Sequence, residues 1–317
     1  MLTYILRRIL YAIPIAVGVS IVCFSLIHLA PGDPLSAVIP EGASEEVVRD
    51  LKAAYGFDQP LPVQYFTWLG RVATGDFGHS IMTRRPVLAE IMPAVANTLI
   101  LSVAAVLIGV VVGLLLGIVA GYADGIFVDR SVTALAVAGI SIPNYWLGMV
   151  LVVIFAVNFG ALPAMGMGPR GSEGFALNWE SIKYLILPAI SLSVIPAGII
   201  SRSVRATVAD VRKQDFVQTL YAKGLPPSRV FMHIAKNSAP AVLAVVGLQI
   251  AYLMGGSILV ETVFSWPGTG FLLNSAIFTR DLPVLQGTIL VLAMFFVFVN
   301  LVVDLMQTLL DPRIRRK

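Results

Sequence analysis

Charge is scarce in this chain: Asp, Glu, Lys and Arg make up 13% of its 317 residues, where a soluble domain carries about a quarter. The deficit is concentrated in apolar runs of about 20 residues, the length that crosses a bilayer. An ordinary soluble domain is thereby excluded. Cysteine is scarcer still: Cys23 stands alone inside the first apolar run, so no disulfide framework is available within the chain. The three histidines, His28, His79 and His233, fall in three different segments. They share no metal-ligand spacing, and no metal site is expected. Neither a Gly-x-x-x-x-Gly-Lys-Ser/Thr phosphate loop nor a His-Glu-x-x-His pair occurs, so ATP binding and zinc hydrolysis by those means are excluded. Gly166-x-Gly168-x-x-Gly171 fits a dinucleotide fingerprint in letters only, because it contains Pro169 and follows a membrane span rather than a strand.

What the chain has is hydrophobic residues, 57% of the total, with a net charge of +4. The basic excess does not point to nucleic acid, since no basic helix with interleaved aromatics accompanies it, and no nucleic-acid partner is expected. It reads instead as membrane topology, because Lys and Arg collect in cytoplasmic segments. They do so at Arg7 and Arg8, across 202–238, and at Arg313, Arg315, Arg316 and Lys317. The acids favour the opposite side.

The first run, about 9–30, is too long for a signal-peptide core and lacks a small-residue cleavage site, so it reads as an uncleaved first helix with a cytoplasmic N-terminus. Pro31-Gly32-Asp33-Pro34 ends it. A mixed-charge segment follows to residue 94, with an amphipathic stretch from Ser44 to Tyr55. Further spans are expected at about 95–121, 131–159, 183–201, 239–260 and 285–309. The fourth is the most interrupted, by Pro188 and Pro196. The fold class expected is all-α, a polytopic membrane protein of six transmembrane helices with both termini inside. Its organisation is 1–94 (first helix and long extracytoplasmic loop), 95–310 (five-helix core) and 311–317 (basic tail).

Ionisable groups are rare within the spans, and Asp304 lies near an end. A stand-alone secondary transporter would place a carboxylate or histidine near mid-membrane, and a channel would need a filter or charged ring. Neither is visible. The 202–238 segment is the informative one. Apolar Val204, Val208, Val211, Phe216, Leu220 and Tyr221 recur at helical spacing among the basic residues, and Gly224 with Pro226-Pro227 splits the segment in two. Such a pair of short helices suits either docking in a groove of a partner protein or lying on anionic head groups.

Gly109, Gly113, Gly117 and Gly121 form a small-residue stripe, for internal packing or for contact with a second membrane subunit. Asn97, Asn144, Gln249, Ser257 and Asn300 are polar groups in or near spans, for lining a translocation path or for interhelical bonding. Asn144 and Gln249 are the stronger path candidates. Glu261 and Trp266 sit at the outer end of the fifth span, as parts of an outer gate or, for Trp266, as an interfacial anchor.

Gln218-Thr219-Leu220-Tyr221-Ala222-Lys223-Gly224-Leu225 resembles the coupling-loop signature of ATP-binding-cassette (ABC) importer permeases, departing from it at Gln218, Leu220 and Tyr221. Gly247-Leu248-Gln249 follows in the family's order. Gly255-Gly256-Ser257-Ile258-Leu259-Val260-Glu261-Thr262-Val263-Phe264-Ser265-Trp266-Pro267-Gly268 resembles the dipeptide/oligopeptide/nickel branch. So do Leu29-Ala30-Pro31-Gly32-Asp33-Pro34, Asp58-Gln59-Pro60-Leu61-Pro62-Val63-Gln64-Tyr65, Gly75-Asp76-Phe77-Gly78, Gly139-Ile140-Ser141-Ile142-Pro143, Arg280-Asp281-Leu282-Pro283-Val284-Leu285-Gln286-Gly287 and Leu310-Asp311-Pro312-Arg313-Ile314-Arg315.

The resemblance implies a type I importer permease of the bacterial cytoplasmic membrane, without catalysis of its own. Its implied partners are a homologous second permease, two cytoplasmic ABC ATPases that hold ATP and Mg, an extracytoplasmic solute-binding protein and the lipid bilayer. No cofactor is expected on this chain. The coupling residues implied are Gln218, Thr219, Leu220, Ala222, Lys223 and Gly224. Di- or oligopeptides are the expected solutes, with nickel, glutathione, opines and oligosaccharides as alternatives. The 31–94 loop is expected to reach toward the binding protein.

Overall fold

The computed structural model describes residues 2–29, 44–47, 49, 53, 58–123, 125, 127–169 and 175–310. Residues 30–34 of the first family string, most of the Ser44–Tyr55 stretch, Gly171 and the 311–317 tail lie outside the described residues. Eleven α-helices are described: α1 (Leu2–Leu29), α2 (Leu61–Ala73), α3 (Val87–Ala123), α4 (Phe127–Ser141), α5 (Asn144–Leu151), α6 (Trp179–Arg212), α7 (Asp215–Ala222), α8 (Pro227–Gly256), α9 (Ile258–Val263), α10 (Thr269–Thr279) and α11 (Leu282–Leu310). Among the described residues there is no strand, only an isolated bridge between His79 and Pro86.

Helix dominates because backbone groups in hydrocarbon must be satisfied within the segment itself. α3, α6, α8 and α11 are long and apolar enough to cross a membrane. The expected 131–159 span is two helices rather than one: α4 and the stretch Asn144–Asn158 meet at 97°, at the break before Pro143. A residue preceding proline disfavours the helical conformation, and Ile142 occupies that place. Beyond α5 the chain continues as a π-helical turn, Val152–Asn158.

The expected 183–201 span corrects in the other direction. α6 runs unbroken through Pro188 and Pro196 for 34 residues, and it is the most buried of the long helices. Its buried hydroxyls are satisfied within the helix: Ser191 donates to the Leu187 carbonyl and Ser193 to that of Ile190, each at 2.8 Å.

The chain divides into two compact units. The first comprises Thr98–Trp266 and Phe298–Lys317. α6 is its centre, packed against α4, α5, α8 and α9. The glycine stripe of α3 faces α6. A Cβ at Gly113 would lie 2.8 Å from the Ile200 Cβ and 2.9 Å from the Ala197 carbonyl oxygen; one at Gly117 would lie 2.6 Å from both the Ser201 oxygen and the Val204 Cβ. Gly109 and Gly121 meet Pro196 and Val208 in the same way. The stripe is therefore internal packing, which small residues permit by letting backbones approach. One apolar cluster gathers Leu101, Leu187, Leu192, Leu253, Phe264 and Trp266. A second gathers Ile200, Val204, Val208, Val217, Val230 and Ile234.

The second unit comprises Leu2–Asn97 and Pro267–Val297. α2 starts with Pro60 at its N-cap and a proline in its first turn, where a missing N–H costs nothing. It lies against α1 through Phe24, whose ring is 5.5 Å from Tyr65, and through a 2.8 Å hydrogen bond between the Ser20 and Tyr65 hydroxyls. Cys23 is a buried free thiol beside Phe24. The Gly75-Asp76-Phe77-Gly78 string builds a turn: both glycines have positive φ, and Asp76 accepts the Gly78 N–H at 2.9 Å. Asp281, at the entry to α11, accepts from the Ser80 hydroxyl and from the backbone N–H groups of Ile81 and Met82.

Candidate functional site

α7 is separated from α6 by Lys213 and Gln214 only. It is short and two-faced. Val217 is 2% exposed within the second apolar cluster of the first unit, with Phe216, Leu220 and Leu225 packed around it. Gln218, Thr219, Ala222 and Lys223 are exposed on the outer side, and Tyr221, one turn after Val217, is exposed at its edge. Leu220 thus differs from the other implied coupling residues, since it belongs to the inner face.

The end of α7 is closed by paired backbone bonds, Leu225 N–H to the Leu220 carbonyl at 3.2 Å and Gly224 N–H to that of Tyr221 at 2.9 Å. This pattern needs a left-handed residue at its pivot and an apolar contact just beyond. Gly224, at φ +75°, and half-buried Leu225 supply them. Pro226 and Pro227 then start α8. The turn is pinned, and the outer face of α7 is presented on a rigid base.

Arg205 and Arg212, which the sequence marks only as basic residues of the 202–238 segment, fix that base. Arg205 makes a two-pronged pair with buried Asp129, Nε to Oδ1 at 2.9 Å and Nη2 to Oδ2 at 2.7 Å. Arg212 donates through Nη1 to the carbonyls of Gly121 and Tyr122 at 2.9 and 2.8 Å. The sequence places both at the edge of the α6 stripe that carries Val204, Val208 and Val211, but does not show what they meet.

The polar residues singled out for a path are spread over the two units. In the first unit, Asn144 donates to the Gly256 carbonyl at 3.3 Å, beside Ser257 at the junction of α8 and α9. Gln249 and Ser257 are buried, and Gln249 Oε1 and Ser257 Oγ have no hydrogen-bond partner. Asn300 is half-buried in α11. In the second unit, Asn97 donates to the Pro267 carbonyl at 2.8 Å, the interhelical type of role. Back in the first unit, Glu261 is fully buried and accepts from the Thr98 hydroxyl at 2.8 Å. Trp266 is also fully buried, packed with Phe175 and Phe264. It is a core residue and not an exposed interfacial anchor. Among the described residues no three His, Cys, Asp or Glu come together as a metal site.

Residues 113–316 match the family model of the binding-protein-dependent transport system inner membrane component, and residues 1–102 match the model of that family's N-terminal part. The dipeptide transport system permease protein DppB of Alkalihalophilus pseudofirmus is 41% identical, over 99% of this chain and 100% of its own length. The di/tripeptide transport system permease protein DppB of Pseudomonas aeruginosa is 38% identical over the full length of both chains. The glutathione transport system permease protein GsiC of Salmonella typhimurium is 37% identical, again over both full lengths. Among solved structures, the MetNI methionine ABC transporter in an inward-facing conformation aligns with a TM-score of 0.56 at 17% identity, covering 69% of this chain and 94% of its own. That likeness speaks to the fold alone. The chain belongs to the binding-protein-dependent transport system inner membrane component family, as a multi-pass, non-catalytic permease subunit of a bacterial ABC importer.

Proposed function

We propose that this chain pairs with a homologous permease to form the path by which short peptides cross the inner membrane, driven by two cytoplasmic ABC ATPases and fed by a solute-binding protein. Six spans serve this role: α1, α3, the bent α4–α5 pair, α6, α8 and α11, with both termini in the cytoplasm. The observation that carries the reading is α7, a short helix anchored on one face by Val217 and bare on the other. A rigid helix with an open face is the form in which grooves accept a partner helix. Its topology is supported by Arg212, which ties the α3–α4 connection to the end of α6, as a shared cytoplasmic side requires.

ATP and Mg reside on the partner ATPases. Full-length relatives named for dipeptides, di/tripeptides and glutathione, itself a tripeptide, support a short-peptide solute. In the path, Gln249 and Ser257 offer buried polar atoms without partners, with Asn144, Asn97 and Asn300 as further lining groups. Glu261 and Trp266 belong to the outer closure, where the Trp266 N–H donates back to the Glu261 carbonyl at 2.8 Å.

Purification in mild detergent tests the assembly. A second permease and Walker-motif ATPases should accompany the chain, and Tyr221→Glu with Lys223→Glu should release the ATPases while retaining the second permease. A chain recovered alone, even after cross-linking in intact cells, would sink the reading. Peptide uptake should stop on ATP depletion and survive dissipation of ion gradients; the reverse would favour a secondary transporter.

A further inference from the structure

Arg205 and Arg212 stand two turns apart on α6 and reach the same target, the connection from the end of α3 to the start of α4. Asp129, in the first turn of α4, is 4% exposed. Besides both prongs of Arg205, it accepts the Gly125 N–H at 3.0 Å and the Thr133 hydroxyl at 3.4 Å. Gly125 holds φ +82°, which aims its N–H at the carboxylate. Arg212 covers two carbonyls in the last turn of α3, groups that a helix end leaves without partners and that favour a cation. Its guanidinium also lies 4.5 Å from the centre of the Tyr122 ring, and that ring is 6.1 Å from Phe231 of α8.

Stability alone does not account for this arrangement. Burying the Asp129 carboxylate offsets much of its attraction to Arg205, whose side chain keeps 35% of its surface exposed, and well-packed apolar residues hold helices together as well. What a two-pronged arginine pair adds is fixed orientation. Here the Arg205 pair fixes α4 to α6 and the Arg212 bonds fix α3 to α6 at the end where α7 emerges, and α7 is itself sunk into the apolar cluster through Val217.

We propose that Asp129, Arg205 and Arg212 form a clamp that makes α7 move as one body with α3, α4 and α6, so that these three are positioning residues for energy coupling. The clamp rests on the importer reading above. Without it, motion of the ATPases is taken up by slack in the α3–α4 connection, and ATP is spent without opening the path.

The test uses the full importer in proteoliposomes with its binding protein and a dipeptide, measuring ATP hydrolysed per peptide imported. Asp129→Asn keeps the shape and removes the charge. Arg212→Lys keeps the charge and removes the planar guanidinium that lies over the Tyr122 ring, as a second variant should the first fail to assemble. Each should raise the ATP-to-peptide ratio about tenfold, within the span of measured coupling energies, while hydrolysis itself stays near wild type. A merely structural role would lower import and hydrolysis together and leave the ratio unchanged. An unchanged ratio in assembled variants of a wild-type complex that imports overturns the clamp alone. A wild-type complex that hydrolyses ATP and imports no peptide overturns the importer reading and the clamp with it.

Discussion

α3 and α6 are both long enough to cross a bilayer, yet the more apolar of the two is the less buried. α3 has 28% of its most apolar stretch inside the protein and α6 has 61%. In a soluble protein the order would be reversed. In a membrane, lipid tails are as apolar as leucine, so the helix facing lipid needs the apolar side chains. The central helix needs small and polar residues that let neighbours approach. α6 carries Ser191, Ser193, Ser201 and Gly198 at buried positions, whereas α3 shows Leu107, Val111 and Leu115 to the outside. Hydropathy here reports the outward-facing surface of the chain, not depth in the fold.

The sharpest way to break this comparison is on α3 itself. Gly117→Leu drives a side chain into the Ser201 carbonyl and Val204. Overpacking of this kind costs about 3 kcal/mol or more when backbone cannot yield, and the variant should be lost as a monodisperse peak in size-exclusion chromatography. Normal elution would mean that α3 and α6 are not in contact. The second unit offers a turn held by one carboxylate instead of by close backbone fit. Asp281→Ala should cost about 2 kcal/mol through buried donors left unsatisfied, read as faster hydrogen exchange confined to residues 80–84. Exchange rising equally throughout the first unit would contradict that confinement.

A smaller effect is expected at Val217. Val217→Ala should lower stability by about 1 kcal/mol, as methyl deletion in a core does, seen as a lower thermal midpoint. Gln218→Ala, one residue on and exposed, should leave the midpoint in place. The smallest effect belongs to Leu115→Ala, 61% exposed on α3. It should move the midpoint by no more than about 0.5 kcal/mol equivalent, and a large loss there would place a protein surface where the comparison puts lipid.

Much of this was legible in the sequence. The apolar runs marked the long helices, and Gly224 with Pro226-Pro227 marked the end of α7 and the start of α8. The glycine stripe announced close packing but not its partner, because spacing shows which face of a helix is small and not what meets it. Pro143 was visible too, yet the apolar composition continues across it, so 131–159 read as one span where the backbone bends. The prolines of α6 marked an interruption where none occurs, because an interior proline weakens a helix in water but is tolerated where neighbours surround it, and the expected span proved longer at both ends. Arg205 and Asp129 stayed hidden because a charge pair 76 residues apart in sequence leaves no local pattern. Trp266 read as a gate residue or an interfacial anchor because it follows the outer end of the fifth span; only packing with Phe175 and Phe264 reveals its burial in the core.

The contact between α3 and α6 also constrains how this protein can diverge. A methyl group at Gly113 or Gly117 would collide with the carbonyl oxygens of Ala197 and Ser201. Those atoms are main chain, and no replacement at 197 or 201 removes them. A lineage that loses either glycine therefore cannot be rescued by trimming the facing side chain. The two helices must be inherited as a matched block, and exchange between related genes should succeed where the joint falls outside both and fail where it separates them.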